Sequence, residues 1–88
     1  MSQDLHETAR PILYWRPGCP FCAALKTKLR VARVRYTAVN IYEDPDAAAY
    51  VRSVNNGNEL VPTVRIGERS LSNPSLRQVK QALAARSS

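Results

Sequence analysis

The amino-acid sequence predicts an α/β fold with the order β-α-β-α-β-β-α, a four-stranded mixed sheet flanked by helices. Three observations carry this. Short apolar, β-rich runs alternate with stretches whose apolar residues recur at helical spacing. Asp44-Pro45 and Asn73-Pro74 each offer a capping side chain followed by a proline, where the second and third helical stretches open. Gly67-Glu68 joins the last two β-rich runs as a tight antiparallel hairpin, whereas the strand-helix-strand crossover at the start demands parallel pairing.

Residues 1–10 show no periodicity and read as a flexible arm, leaving 11–88 as a single domain. Pro11 to Trp15 is a buried strand, broken by Arg16-Pro17-Gly18. From Pro20 to about Val34, Phe21, Leu25, Leu29 and Ala32 form an apolar stripe beside a wet one of Lys26, Arg30 and Arg33, which describes an amphipathic helix on a sheet. Tyr36 to Tyr42 is the second strand. Ala47, Tyr50, Val51 and Val54 then line a helix that Gly57 stops. Pro62 to Ile66 and Arg69 to Leu71 form the hairpin, and Leu76, Val79, Ala82 and Leu83 face inward on a last helix ending near Arg86.

Composition narrows the function. The chain's 88 residues leave room for one domain, against roughly 150 for an average one. Two cysteines allow at most one disulfide, which excludes a disulfide-dense secreted scaffold. No apolar run approaches the ~18 residues of a membrane span, and the N-terminal residues have neither a basic nor an apolar leader region, so a cytoplasmic protein is expected. The net charge of +6 suggests an anionic partner. Its basic residues are spread along the chain without interleaved aromatics, however, so they read as a solvated surface and no nucleic-acid partner is expected.

Cys19-Pro20-Phe21-Cys22 dominates the chemistry. It stands where a strand has ended and a helix begins. The unsatisfied N–H groups of a helix N-terminus stabilise a thiolate at Cys19, which is therefore expected to be acidic and reactive. Cys22, one turn on, is within reach of a mixed disulfide on Cys19, so the pair can cycle between dithiol and disulfide. Pro20 fits a first turn that needs no N–H, and Arg16 is near enough in sequence to add positive charge. Against a structural zinc site stands the ligand count: two cysteines and His6, the last in the arm, where a solvated role suits it better than a general base. Two inert core cysteines would leave the strand-break-helix setting unexplained. Trp15, Tyr14, Tyr42 and Tyr50 read as packing residues. Val61-Pro62 opens the third strand, and on the residues alone it is an ordinary edge proline, since only about 5–6% of such bonds are cis.

The run Tyr14-Trp15-Arg16-Pro17-Gly18-Cys19-Pro20-Phe21-Cys22, followed by Val61-Pro62 and a hairpin, resembles the glutaredoxins of the thioredoxin superfamily over about residues 11 to 86. Within that family, Asn55-Asn56-Gly57-Asn58, Leu60-Val61-Pro62-Thr63-Val64 and the stretch from Leu71 to Lys80 look most like the mycoredoxins, which work with mycothiol. The resemblance implies a thioredoxin-like fold and a thiol-disulfide oxidoreductase that takes part in electron transport. Cys19 would be the nucleophile, Cys22 the resolving cysteine and Pro62 a cis-proline beside them. The Val61 backbone would pair with an amide of the thiol substrate, while Arg16 and Phe21 occupy places where glutaredoxins usually carry lysine and tyrosine. Glutathione-using members commonly have threonine before Val-Pro and a Gly-Gly-acidic stretch after the hairpin. Here Leu60 and Leu71-Ser72-Asn73-Pro74 stand there instead, so the acidic anchor for a γ-glutamyl amine is missing. Mycothiol has no such amine, and contacts from Ser72 or Asn73 would suit its acetylated cysteine and sugar.

The leading expectation is thus an enzyme that strips a small thiol from mixed-disulfide proteins. It would hold no bound cofactor and act as a monomer, with mycothiol rather than glutathione as co-substrate, served by that thiol's NADPH-dependent reductase. The rival is a dithiol donor reduced by thioredoxin reductase and feeding ribonucleotide reductase or a peroxidase. A third class is a basic binding module without turnover, built on Lys26, Lys28, Arg30, Arg33 and Arg35. Bridging of two chains by an iron-sulfur cluster, found in some relatives, stays open.

Overall fold

The strands are β1 (Ile12–Trp15), β2 (Thr37–Asn40), β3 (Thr63–Ile66) and β4 (Arg69–Ser72). The helices are α1 (Pro20–Val31), α2 (Pro45–Val54) and α3 (Leu76–Ser87), and the elements follow in the predicted order. The structure is a computed structural model that describes residues 10–87. The predicted arm therefore lies, but for Arg10, outside the described residues. The strand order is β2-β1-β3-β4. β1 runs parallel to β2, with Leu13 opposite Ala38, and antiparallel to β3, with Leu13 opposite Val64; β3 and β4 pair antiparallel, with Val64 opposite Leu71. In this order the C-terminal ends of β1, β2 and β4 and the N-terminal end of β3 share one rim of the sheet. The candidate residues Cys19, Val61 and Pro62 gather there.

Alternation along the strands separates two cores. Leu13, Val64 and Ile66 face one way and pack with Leu25 and Leu29 of α1 and with Val79 and Ala82 of α3. Tyr14 faces the other way, with Ile41, Val61 and the α2 residues Ala47, Ala48 and Val51, and Cys22 joins them from the first turn of α1.

Several boundaries differ from the sequence reading. The helix expected to reach Val34 ends at Val31, because Arg33 is left-handed (φ 60°) and the chain turns back on itself. The Arg33 N–H donates to the Arg30 carbonyl at 3.0 Å and that of Val34 to Leu29 at 2.9 Å. This is a Schellman closure, completed by Val34 packing on the core that contains Leu29. β2 stops at Asn40, whose side chain accepts from the Tyr42 N–H at 2.9 Å in an Asx turn; Tyr42 consequently projects into solvent, 65% exposed, where packing was expected. The hairpin's second strand runs one residue further, to Ser72.

The cap reading of Asn73-Pro74 is corrected. Asn73 is left-handed (φ 47°), and its N–H donates to the Pro62 carbonyl at 2.7 Å, so it extends the sheet. Ser75 starts α3 instead. Its Oγ accepts from the Gln78 N–H at 3.2 Å, while Gln78 Oε1 accepts from the Ser75 N–H at 2.8 Å, a reciprocal capping box. Asp44 caps α2 as expected, accepting from the Ala47 N–H at 3.1 Å. Among the described residues no helix is long and apolar enough to cross a membrane.

Candidate active site

The turn Arg16-Pro17-Gly18 carries the chain from β1 to α1. Gly18 has φ 80°, and a Cβ there would meet nothing within 4 Å, so the backbone conformation rather than space demands glycine. Cys19 is the N-cap of α1, in extended conformation, and its Sγ accepts from the Cys22 N–H at 3.3 Å. Sulfur thus takes the place of the usual capping oxygen, at the positive end of the helix. Pro20 follows in the first turn, as expected.

The two thiols are both free but differ in environment: Cys19 is half-buried and Cys22 is buried. Burial pushes the Cys22 thiol up from about 9 to about 11, and its hydrogen bond with Cys19 acts the same way. The backbone amide of Arg16 and the charge of Lys26 oppose the rise. Arg16 therefore acts on Cys22 through its main chain, whereas the cation acting there is Lys26. That lysine does not simply line the wet stripe, for its Nζ lies 3.3 Å from the centre of the Trp15 ring.

The Val61–Pro62 bond is cis, against the bland reading of the residues alone and in line with the resemblance. It stands at the N-terminal end of β3, with the Val61 carbonyl oxygen 3.7 Å from Cys19 Sγ. Pro62 is buried and its carbonyl is taken by Asn73. Phe21 is 64% exposed beside the cysteine, and Leu60 is 42% exposed on the other side of Val61.

Leu60 leads into an open groove of about 540 Å³ lined by Val54, Asn55, Asn56, Asn58, Glu59, Leu60 and Ser72. Its floor is a hydrogen-bonded chain. Ser72 Oγ bonds Asn55 Oδ1, and Asn55 Nδ2 donates to the Val51 carbonyl at 2.8 Å and to Thr63 Oγ1 at 3.3 Å. The buried Thr63 hydroxyl in turn donates to the Leu60 carbonyl at 2.6 Å. The Glu59 carboxylate accepts from Arg52 Nη1 at 2.6 Å. Among the described residues no group of three or more His, Cys, Asp and Glu side chains could hold a metal ion.

Of the residues singled out by sequence, Cys19, Cys22, Phe21, Val61, Pro62 and Ser72 converge on the rim; Arg16 and Asn73 contribute chiefly backbone groups. Asn55, Thr63 and Lys26 were missed. A threonine between Pro62 and Val64 at the start of a predicted strand was the available signal for Thr63, since a buried hydroxyl must find a partner. For Lys26 the available signal was its spacing of four residues from Cys22 within the predicted helix.

The glutaredoxin profile matches residues 12–71. A glutaredoxin-named protein of Mycobacterium tuberculosis is 43% identical over 77 residues, covering 86% of this chain and 92% of that protein. Mycoredoxin 1 of Corynebacterium glutamicum is 36% identical over 56 residues, covering 64% and 68%. Among solved structures, NrdH-redoxin from Escherichia coli superposes with a TM-score of 0.70 at 25% identity, covering 82% of this chain and 92% of its own. The glutaredoxin from Archaeoglobus fulgidus gives 0.69 at 20% identity, covering 89% of each. A thiol at a helix N-terminus, a second thiol one turn behind it and a cis-proline alongside, on this sheet, accord with that profile and those relatives: the chain belongs to the glutaredoxin family and is a thiol-disulfide oxidoreductase.

Proposed function

We propose that the chain removes mycothiol from protein mixed disulfides, with Cys19 as nucleophile and Cys22 as resolving cysteine. The observation that carries the reading is the position of Cys19 Sγ, at the N-terminus of α1 and 3.7 Å from the Val61 carbonyl; Leu60, the residue before Val61, lines the groove. The Cys19 thiolate attacks the sulfur of the small thiol, and the target protein leaves as its thiolate and takes up a proton. Cys19 then carries the small thiol in a mixed disulfide. Either a second small thiol attacks that sulfur and releases Cys19, or Cys22 attacks Cys19 and expels the small thiol. In this reading the backbone of Val61, beside Pro62, pairs with an amide of the thiol, and the exposed Phe21 ring and Arg16 flank the protein arm.

Similarity to Mycoredoxin 1 supports mycothiol as the co-substrate. The groove supports it too. It presents the side-chain amides of Asn56 and Asn58 and Ser72 Oγ as an acceptor, groups suited to a sugar, and its one carboxylate, Glu59, is held by Arg52. The test is NADPH consumption with a mycothiol mixed disulfide, supplied either with mycothiol and its reductase or with thioredoxin reductase alone. Turnover only in the first arm supports the reading; faster turnover of glutathione mixed disulfides overturns it.

One observation favours a second reading. The NrdH-redoxin that shares this shape is described for a thioredoxin-like activity profile, which would make the chain a dithiol donor fed by thioredoxin reductase. That role needs both cysteines, whereas the monothiol route needs only Cys19. Cys22→Ser separates them: retained removal of the small thiol argues for the first reading, complete loss for the second.

A further inference from the structure

We infer that Lys26, held in place by the Trp15 ring, is the electrostatic positioning residue for Cys22, favouring its thiolate when the Cys19–Cys22 disulfide closes and when it opens. The inference rests on the proposed resolving role of Cys22 and extends it.

The geometry has three parts. Lys26 lies four residues after Cys22 on α1, so both side chains lie along one flank of the helix. Its Nζ sits 3.3 Å from the centre of the Trp15 ring, which attracts a cation to its face and holds a flexible ammonium in one place. Trp15 in turn packs against the core cluster that contains Cys22, beside Cys19. The ring thus anchors the ammonium on the flank of α1 that also carries Cys22, and does so through a residue packed on the Cys22 cluster. The titratable groups packed in that cluster are Cys19, Tyr14 of β1 and Tyr50 of α2; Lys26 is the cation acting on Cys22.

Burial creates the need for such a cation. A thiol shut away from water gives up its proton reluctantly, and the thiolate is the attacking species. In closure, Cys22 first loses its proton to solvent. Its thiolate then attacks Cys19 Sγ of the mixed disulfide, the Cys19–Cys22 bond forms, the bond to the small thiol breaks, and the small thiol leaves with the electron pair and takes up a proton. Opening by a thiol attacking Cys19 makes Cys22 the leaving thiolate, so the same ammonium favours both directions. A packing role alone, in which the lysine stem merely covers the indole, predicts no change in the pH dependence of either step.

The reduced chain is mixed with excess bis(hydroxyethyl) disulfide, and closure is followed by acid quench and mass spectrometry as the phase whose rate is independent of disulfide concentration. Its rate is measured across pH for the native chain, Lys26→Gln, Lys26→Arg and Trp15→Leu. Lys26→Gln is expected to slow closure about three- to tenfold near neutral pH and to move the pH midpoint upward. Lys26→Arg restores both, Trp15→Leu gives a smaller loss in the same direction, and added salt narrows the gap between the native chain and Lys26→Gln. A Lys26→Gln chain with the native midpoint overturns the inference while leaving the resolving role of Cys22 intact. A native chain that shows no closure phase overturns both.

Discussion

The two faces of the sheet are packed from different materials. Beneath α1 and α3 lies a core whose buried residues Leu13, Leu25, Leu29, Val64, Ile66, Val79 and Ala82 are all aliphatic. Beneath α2 the core holds Tyr14 and Cys22 among small aliphatic residues, and the polar groups around it are mutually engaged. Tyr14 and Tyr50 have ring centres 5.2 Å apart, the Arg65 guanidinium lies 4.8 Å from the Tyr50 ring, and burial raises the Tyr14 phenol, with Arg65 opposing the rise. The buried Thr63 joins this side through Asn55. A dry aliphatic layer supports the fold without chemistry. Setting a thiol in the other layer makes its protonation depend on neighbouring dipoles and charges, which is what redox chemistry requires.

This division is open to attack from either side. Cys19→Ser is expected to reduce mixed-disulfide turnover on the order of a thousandfold or more while leaving thermal stability near native, since serine is itself a good N-cap. A loss of stability comparable to a core mutant would break the division. Leu29→Ala should do the reverse, costing about 2–5 kcal/mol in denaturant unfolding with the activity per folded molecule retained. For a domain of this length, total stability is about 4–13 kcal/mol, so that loss would dominate.

Thr63→Val tests the boundary between the regions. It strips the Leu60 carbonyl and the Asn55 amide of a partner, and a loss of about 1–3 kcal/mol is expected together with weaker binding of the thiol co-substrate. Loss of stability without any change in KM would sharpen the comparison by placing Thr63 wholly with the structural residues.

Cys22 makes stability itself pH-dependent. Its folded-state thiol is raised from about 9 to about 11, so the folded chain holds that proton more tightly than the unfolded chain does. The resulting stabilisation is complete below pH 9 and is lost as the pH climbs toward 11. Denaturant midpoints of the reduced chain should fall over that window, and the fall should shrink in Cys22→Ala. The smallest expected effect is at the end of α1, where Arg33→Gly relieves a left-handed backbone and should raise stability by about 0.5–1 kcal/mol, seen as a small upward shift in Tm.

Much of this was legible because it is local. Asp44-Pro45 before a helical repeat, the Gly67-Glu68 turn and the strand-break-helix around Cys19 each act within a few residues, and each appears in the structure where the sequence placed it. Asn73-Pro74 misled because its local cap signal competed with a sheet contact to Pro62, eleven residues away and invisible to any window, while the capping box of Ser75 and Gln78 began two residues on. Tyr42 misled for the converse reason, because aromatic character alone does not say which side of a turn a ring will face.

By itself, then, the sequence determined the order of elements, the parallel sense of β1 with β2, the antiparallel sense of β3 with β4 and a thiol at a helix start, since helix periodicity, caps and tight turns are short-range. Only the tertiary structure decided that Val61 meets Cys19, that Asn55 ties Ser72 to Thr63, that Cys22 is shut from water and that Lys26 rests on Trp15. Those contacts are made by side chains whose surroundings come from other strands and helices, and burial and field at a point in space follow from how the layers close.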